Sequence, residues 1–365
     1  MIKVCHISSV HNLHDSRILY KQCSSLVKAG YEVSLVIQND KPDIINGVNI
    51  IPLKYSKSRV YRILISTWIA FFKALKTKSK IYQFHDPELL PFAILFKLFG
   101  KKVIFDSHED VVFQILHKPY LKNKILKSVV SNTFRSFQWF ISLFLDKIIV
   151  VTDLMVPRFK NSKTVVISNF PLISEPSFQY DIIDSGSPAF VYLGGLSKIR
   201  NIKEVVLAYG ALPHKTTFNI LGSFDTPHYE AICKALPEWN QINFYGQVNF
   251  NEAQKIIAKS QIGILVLKST PNHLLSMPIK AFEYMQKGLP FIASDFPYWR
   301  KLFSDCAIFV DPENSEEITN AMNLLVTDNH LRSTLGNKGK QLVKDKYNWN
   351  QEEVKLILLY KELSV

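Results

Sequence analysis

Residues 272–299 read NHLLSMPIKAFEYMQKGLPFIASDFPYW, and the residue types in this stretch decide how the rest is read. A polar, turn-prone lead-in runs into a helical pattern with one acidic residue, Glu283, in an apolar setting. Gly288-Leu289-Pro290 stops that helix, and a short apolar strand, Phe291–Ser294, follows. A helix start near Met277, Pro278 and Ile279 offers unpaired N–H groups and the positive end of the helix dipole, which suit a phosphate. A carboxylate one turn inside can accept hydrogen bonds from ribose hydroxyls. The stretch therefore outlines a nucleotide-diphosphate site, set in an alternation of strand and helix.

That alternation extends through the chain. Strands are expected at Lys3–Ser9, Glu32–Gln38, Asn49–Lys54, Ile81–His85, Lys102–Asp106, Lys147–Val151 and Thr164–Ile167. They resume at Ala189–Gly194, Thr217–Leu221, Asn243–Val248, Ile262–Leu267, Phe291–Ser294 and Ala307–Val310. Several are unbroken apolar runs, as in parallel sheets buried on both faces. Residues 171–188, rich in proline and ending in Ser-Gly-Ser-Pro, read as a linker. The expectation is an α/β chain of two doubly wound, Rossmann-like domains, residues 1–170 and 189–346, facing a cleft. A terminal segment, 347–365, with a helix at about Asn350–Leu363, is expected to cross back onto the first domain.

Other motifs fall at the carboxyl ends of these strands. Gly194 and Gly195 after a strand permit positive φ and close approach of a ligand, and Arg200 adds a planar fork for phosphate. Lys280 stands three residues before Glu283, in reach for a surface ion pair or for a cation beside a pyrophosphate. His108 follows the strand Lys102–Asp106, with Ser107 and Asp110 able to cap a helix. His85 and Asp86 follow Ile81–His85, and His11, His14, Asp15 and Arg17 fill the first strand-to-helix turn.

Together these motifs resemble the retaining glycosyltransferases of family 4, which have the two-domain GT-B fold. Their signature reads Glu, seven residues, Glu, then Gly-hydrophobic-Pro; here the second Glu is Glu283 and the first falls on Leu275. The segment from Pro278 to Met285 is similar to the "P-x-K-x-FEYM" form of capsule and O-antigen enzymes, as are "HDPELLP" at 85–91 and "HDSRI" at 14–18. The resemblance implies that Gly194, Gly195, Gly246, Met277, Pro278, Ile279 and Glu283 bind the donor, with Glu283 on the ribose. It implies catalytic contacts from Arg200, Lys280 and His108, the last near the donor sugar or phosphate. His11, His14, Asp15, Arg17, His85 and Asp86 would bind acceptor or orient the donor. At Gly195 the family's first basic residue is missing, and Lys203 or Lys280 would compensate. "VISNFP" at 166–171 and Tyr347-Asn348-Trp349 resemble the end of the first domain and the entry to the last helix.

Charge separates the halves. Residues 1–170 hold 25 Lys/Arg against 11 Asp/Glu, a balance of +14, and the rest hold 19 against 20, a balance of −1. The excess concentrates in residues 51–80 and 111–145, which contain no acid and interleave Tyr61, Trp68, Phe71, Phe72, Phe134, Phe137, Trp139 and Phe140. Such stretches fit an anionic membrane surface, and equally core helices with solvated basic faces. No helix-turn-helix, zinc-finger or RNP pattern points to nucleic acid. Four scattered cysteines argue for reduced, buried thiols. With no signal peptide and no run long enough to span a bilayer, the expected place is the cytoplasm, peripheral to the inner face of the membrane. The partners expected are a nucleotide-diphosphate sugar, UDP-linked in the commonest case, and a lipid-linked saccharide acceptor. Without an Asp-x-Asp motif, no metal cofactor is expected. Two alternatives remain: a nucleotide-sugar 2-epimerase, with Asp106, Glu109 or Asp110 as acid/base groups, and a transferase-like subunit without turnover.

Overall fold

The computed structural model describes residues 1–108, 112, 123–173 and 188–365, apart from the side chains of Lys124 and Phe250. It divides into two compact units, Met1–Leu172 with Trp349–Val365, and Ile173–Asn348. Glu109, Asp110 and most of 111–122 lie outside the described residues, as does 174–187 within the expected linker.

The first unit is built on an eight-stranded sheet: β1 (Lys3–Asn12), β2 (Glu32–Gln38), β3 (Asp43–Ile45), β4 (Val48–Leu53), β5 (Ile81–Phe84), β6 (Lys102–Ser107), β7 (Lys147–Val150) and β8 (Thr164–Val166). Their order is β3-β4-β2-β1-β5-β6-β7-β8, and every pairing is parallel except β3 with β4. Adjacent strand residues bury on opposite faces. Cys5, Val36, Tyr82, Phe105 and Ile148 join one core, while Val4, Leu35, Ile81, Ile104 and Ile149 join the other. Burial on both faces explains the unbroken apolar runs.

The helix Trp349–Ser364 completes the second of these cores. Trp349, Leu356, Leu359, Tyr360 and Leu363 are buried at helical spacing against Leu19, Leu26 and Tyr31. Two polar anchors fix it: the Trp349 indole donates to Ser25 Oγ at 2.9 Å, and the buried Glu352 carboxylate accepts from the Ser168 N–H at 2.9 Å.

The second unit holds a six-stranded parallel sheet: β9 (Ala189–Leu193), β10 (Thr217–Leu221), β11 (Ile242–Gly246), β12 (Ile262–Leu265), β13 (Phe291–Ser294) and β14 (Ala307–Val310). Its order is β11-β10-β9-β12-β13-β14. Both sheets reverse direction of winding once, at β1/β5 and at β9/β12. In doubly wound sheets ligands bind at such points, at the carboxyl ends of the strands.

The turn-prone lead-in before Ile279 is itself a short helix, Pro271–Leu275, started by the Thr270 side chain accepting from the His273 N–H with proline at its first position. Cys5, Cys23, Cys233 and Cys306 are buried free thiols, and burial pushes Cys5 and Cys306 up to about 12. No helix among the described residues is long and apolar enough to cross a membrane.

Candidate active site

In the first unit the carboxyl ends of β1, β5 and β6 bring together most of the residues singled out there. Asp86 organises the loop after β1. Its Oδ2 accepts from the N–H of Ser9 at 2.6 Å and of Val10 at 3.2 Å, and from the Ser8 and Ser9 hydroxyls at 3.0 and 3.2 Å. That loop carries His11, whose Nδ1 lies 3.1 Å from Asp15 Oδ2 and whose Nε2 lies 3.4 Å from Asp86 Oδ1. The His11 ring meets His108 edge-on at 4.7 Å. Asp15 also caps the following helical stretch, accepting from the N–H groups of Arg17 and Ile18. Burial alone would raise the Asp15 carboxyl, but the hydrogen bonds from His11 and Ile18 win and hold it at about 2. Burial lowers His108 below its usual range; Asp106 opposes this, and His11 and Arg17 add to it.

Arg17, His85 and Asp86 are buried. They face inward, and each satisfies a group within the unit. Arg17 donates to Asp106 through Nε at 3.0 Å and Nη2 at 2.6 Å, and Nη2 also donates to the Ile167 carbonyl. His14 stands apart, exposed, with Nδ1 2.7 Å from the Tyr20 hydroxyl.

Ligand atoms of His85, Asp106 and His108 lie within 4.8 Å of one another, close enough to hold a metal ion. Yet the Asp106 carboxylate is held by a guanidinium and both ring nitrogens of His85 are engaged, so the trio is spoken for by the protein's own groups. Burial would raise the Asp106 carboxyl, but the Arg17 guanidinium and the His85 hydrogen bond hold it well below the usual range.

In the second unit, glycines end three neighbouring strands. Gly194, Gly222 and Gly246 all have positive φ, whereas Gly195 does not. A Cβ on Gly222 would fall 1.8 Å from the Gly194 carbonyl oxygen, so only glycine allows this approach. Arg200 lies over the turn: its Nη1 is 3.2 Å from where a Gly194 Cβ would sit. Tyr192 props the loop by donating to the Gly195 carbonyl at 2.8 Å. Burial raises the Tyr192 phenol, and the Arg200 guanidinium beside it holds part of that rise back. After Arg200 the chain passes through Asn201, at φ 61°, a conformation asparagine tolerates better than most residues.

Beyond β12, the Lys268 N–H donates to the Ile199 carbonyl at 3.0 Å, tying this loop to the Arg200 turn. His273 Nδ1 is 2.9 Å from the Lys268 carbonyl, and the Lys268 ammonium pairs with Glu204 at 3.1 Å.

The helix Ile279–Gln286 starts after Pro278 without a side-chain cap. Connecting parallel β12 to β13, it begins at the carboxyl edge where the glycines lie. Tyr284 anchors it, its hydroxyl 3.4 Å from the Val191 carbonyl and 3.3 Å from that of Ile264, while a Cβ at Gly263 would lie 2.5 Å from the Tyr284 ring. Lys280 and Glu283 form an ion pair at 3.2 Å on this helix. Met277 and Ile279 flank its start, and Leu275 closes the short helix before it. Lys203 places its N–H on the Tyr229 hydroxyl.

Residues 175–342 match the family model for glycosyl transferases group 1. No curated protein matches the chain by sequence. Among solved structures, sucrose-phosphate synthase from Thermosynechococcus elongatus superimposes with a TM-score of 0.79 at 17% identity, covering 100% of this chain and 99% of that one. Anabaena HepE, solved in complex with UDP and glucose, gives 0.71 at 11% identity, covering 99% and 100%. WaaG, a glycosyltransferase involved in lipopolysaccharide biosynthesis, gives 0.66 at 13% identity, covering 98% and 99%. The fold is GT-B.

Proposed function

We propose that the chain is a retaining glycosyltransferase. It moves a sugar from a nucleotide-diphosphate donor, UDP-linked in the first instance, to a polyprenyl-diphosphate-linked saccharide in capsule or O-antigen assembly. The observation that carries this reading is that the glycine turn with Arg200 after β9 and the uncapped helix with Lys280 and Glu283 after β12 both follow the carboxyl ends of neighbouring strands. It falls in the part of the chain that matches the family model, and the GT-B protein HepE was solved with UDP and glucose.

In this reading Arg200, Lys280 and the amides at the helix start neutralise the departing diphosphate, a fixed-charge role that needs no metal. Glu283 accepts hydrogen bonds from the ribose. The bond from the sugar's anomeric carbon to the diphosphate breaks while the acceptor oxygen bonds on the same face, and a donor phosphate oxygen takes the acceptor's proton. The His11–His108 edge serves the transferred sugar.

The first unit supplies the membrane side. Helix Thr67–Lys76 and helix Lys124–Ser142 both pack against helix Leu90–Leu98, the former through Trp68 and Phe71 on Phe92. Leu64, Trp68, Phe72, Ile125, Trp139 and Phe140 are exposed, as are Lys54, Lys57 and Lys76. Apolar side chains together with cations suit an anionic inner leaflet, and in this reading the protein works there from the cytoplasm.

The test is a panel of nucleotide sugars read by thermal shift, followed by transfer to a lipid-linked acceptor and NMR of the product linkage. One donor is expected to raise Tm and to give product with the donor's anomeric configuration. No shift and no transfer with any donor would overturn the reading, and an inverted anomer would remove its retaining part.

A further inference from the structure

Beneath the His11–His108 edge, six buried side chains close a ring. The Tyr360 hydroxyl lies 2.7 Å from Gln83 Oε1, Gln83 Nε2 is 2.5 Å from Gln22 Oε1, and Gln22 Nε2 is 2.8 Å from Asp106 Oδ2. Returning, Asp106 Oδ2 is 3.1 Å from His85 Nδ1, His85 Nε2 is 3.0 Å from His6 Nδ1, and His6 Nε2 is 3.0 Å from the Tyr360 hydroxyl. The ring joins β1, β5 and β6 to the last helix of the chain.

Asp106, ionised against Arg17, can only accept, and this orients every other member. Gln22 turns its NH2 to Asp106 and its carbonyl to Gln83; Gln83 turns its NH2 to Gln22 and its carbonyl to Tyr360. His85 gives its Nδ1 proton to Asp106. Six contacts require six protons. One from each amide, one from the phenol and one from each neutral imidazole make about five. With both histidines neutral, Tyr360 has one proton for two acceptors, and a pair of lone pairs is left facing each other in a buried site. An unsatisfied buried contact of this kind is costly.

We propose that the His6–His85 pair holds one proton more than two neutral imidazoles, so that Tyr360 fixes a positive charge beneath the His11–His108 edge. The groups facing the pair are Asp106, Arg17, Asp15, Asp86, His11 and His108 on the strand-end side, and Tyr360, with Tyr31 and Cys23 around it, on the helix side. On the transferase reading, on which this role rests, Tyr360 is a positioning residue: it touches no ligand and sets the charge under those that do.

The charge itself is tested without substrate, so its failure is distinct from a failure to find transfer. Imidazole nitrogen shifts of histidine-labelled full-length protein, assigned with His6→Gln and His85→Gln, should show one doubly protonated ring in the pair near neutral pH. Tyr360→Phe removes two contacts and one proton, and Gln83→Leu likewise removes two contacts and one proton. In each the remaining contacts are satisfied by neutral rings, so the doubly protonated signature should disappear. Should one variant fail to fold, the other carries the comparison. Two neutral rings in the wild-type protein, or a doubly protonated ring unchanged in a folded variant, would overturn the proposal.

Discussion

Arg17 and Asp106, on the first strand-to-helix turn and at the end of β6, meet as a buried two-point fork with contacts of 3.0 and 2.6 Å. The carboxylate also accepts from Gln22 and His85, so one side chain holds the carboxyl ends of β1, β5 and β6 in register. Breaking a buried pair strands the remaining charge, which typically costs about 3–5 kcal/mol. Arg17→Met should therefore lower unfolding free energy in urea by that amount, with Arg17→Met/Asp106→Leu less destabilised than the sum of the single variants. A loss under about 1 kcal/mol for Arg17→Met would contradict the strain on an unpaired carboxylate.

The depressed Asp15 carboxyl gives a pH dependence with a definite sign. A carboxyl held at about 2 stabilises the native state fully above its ordinary value of 3.8, and that contribution is lost as pH falls toward 2. Asp15→Asn keeps the cap acceptor and removes the charge. The stability gap between the wild type and this variant should be constant from pH 7 to 5 and should close between pH 4 and 2. A gap that stays open between pH 4 and 2 would show that the native state does not hold the Asp15 carboxyl down.

Glu283 and Lys280 are tested on the proposed donor. Glu283→Ala should raise the donor KM at least about tenfold, equivalent to roughly 1.4 kcal/mol of binding, with Tm near wild type because Glu283 is only partly buried. Lys280→Met should depress kcat more than KM, since charge on the leaving diphosphate grows in the transition state. Near wild-type kinetics in both variants would remove this helix from the site.

Membrane docking has its own readout. Replacing the exposed Lys54, Lys57, Lys76 and Lys78 by Gln should weaken sedimentation with phosphatidylserine vesicles, each lysine contributing up to about 1 kcal/mol. Raising ionic strength should weaken wild-type binding in the same direction. Partitioning that ignores both the substitutions and salt would count against an electrostatic surface.

Local residue pattern anticipated much of the fold. Glu32–Gln38, Thr217–Leu221 and Phe291–Ser294 appear as strands with the expected bounds because both their faces are buried, which writes burial directly into an apolar run. The edge strand Asp43–Ile45 escaped notice: three residues, exposed or half-exposed, leave no such run. The helix Pro271–Leu275 was missed although Thr270-Pro271 offered a capping signal, because five residues are too few to show a period.

From sequence order alone came the two-unit α/β architecture, the glycine turn, and the Lys280–Glu283 pair, since each depends on neighbours within a few positions. Only tertiary structure decided that Arg17, His85 and Asp86 face inward, and that His6, Gln22, Gln83 and Tyr360 close one ring. His6 and Gln83 sit inside apolar strands and Tyr360 on the last helix, so their pairing spans up to 354 residues. Hydrogen bonds of that reach are set by which strand ends the sheet order brings side by side, and no local periodicity records them.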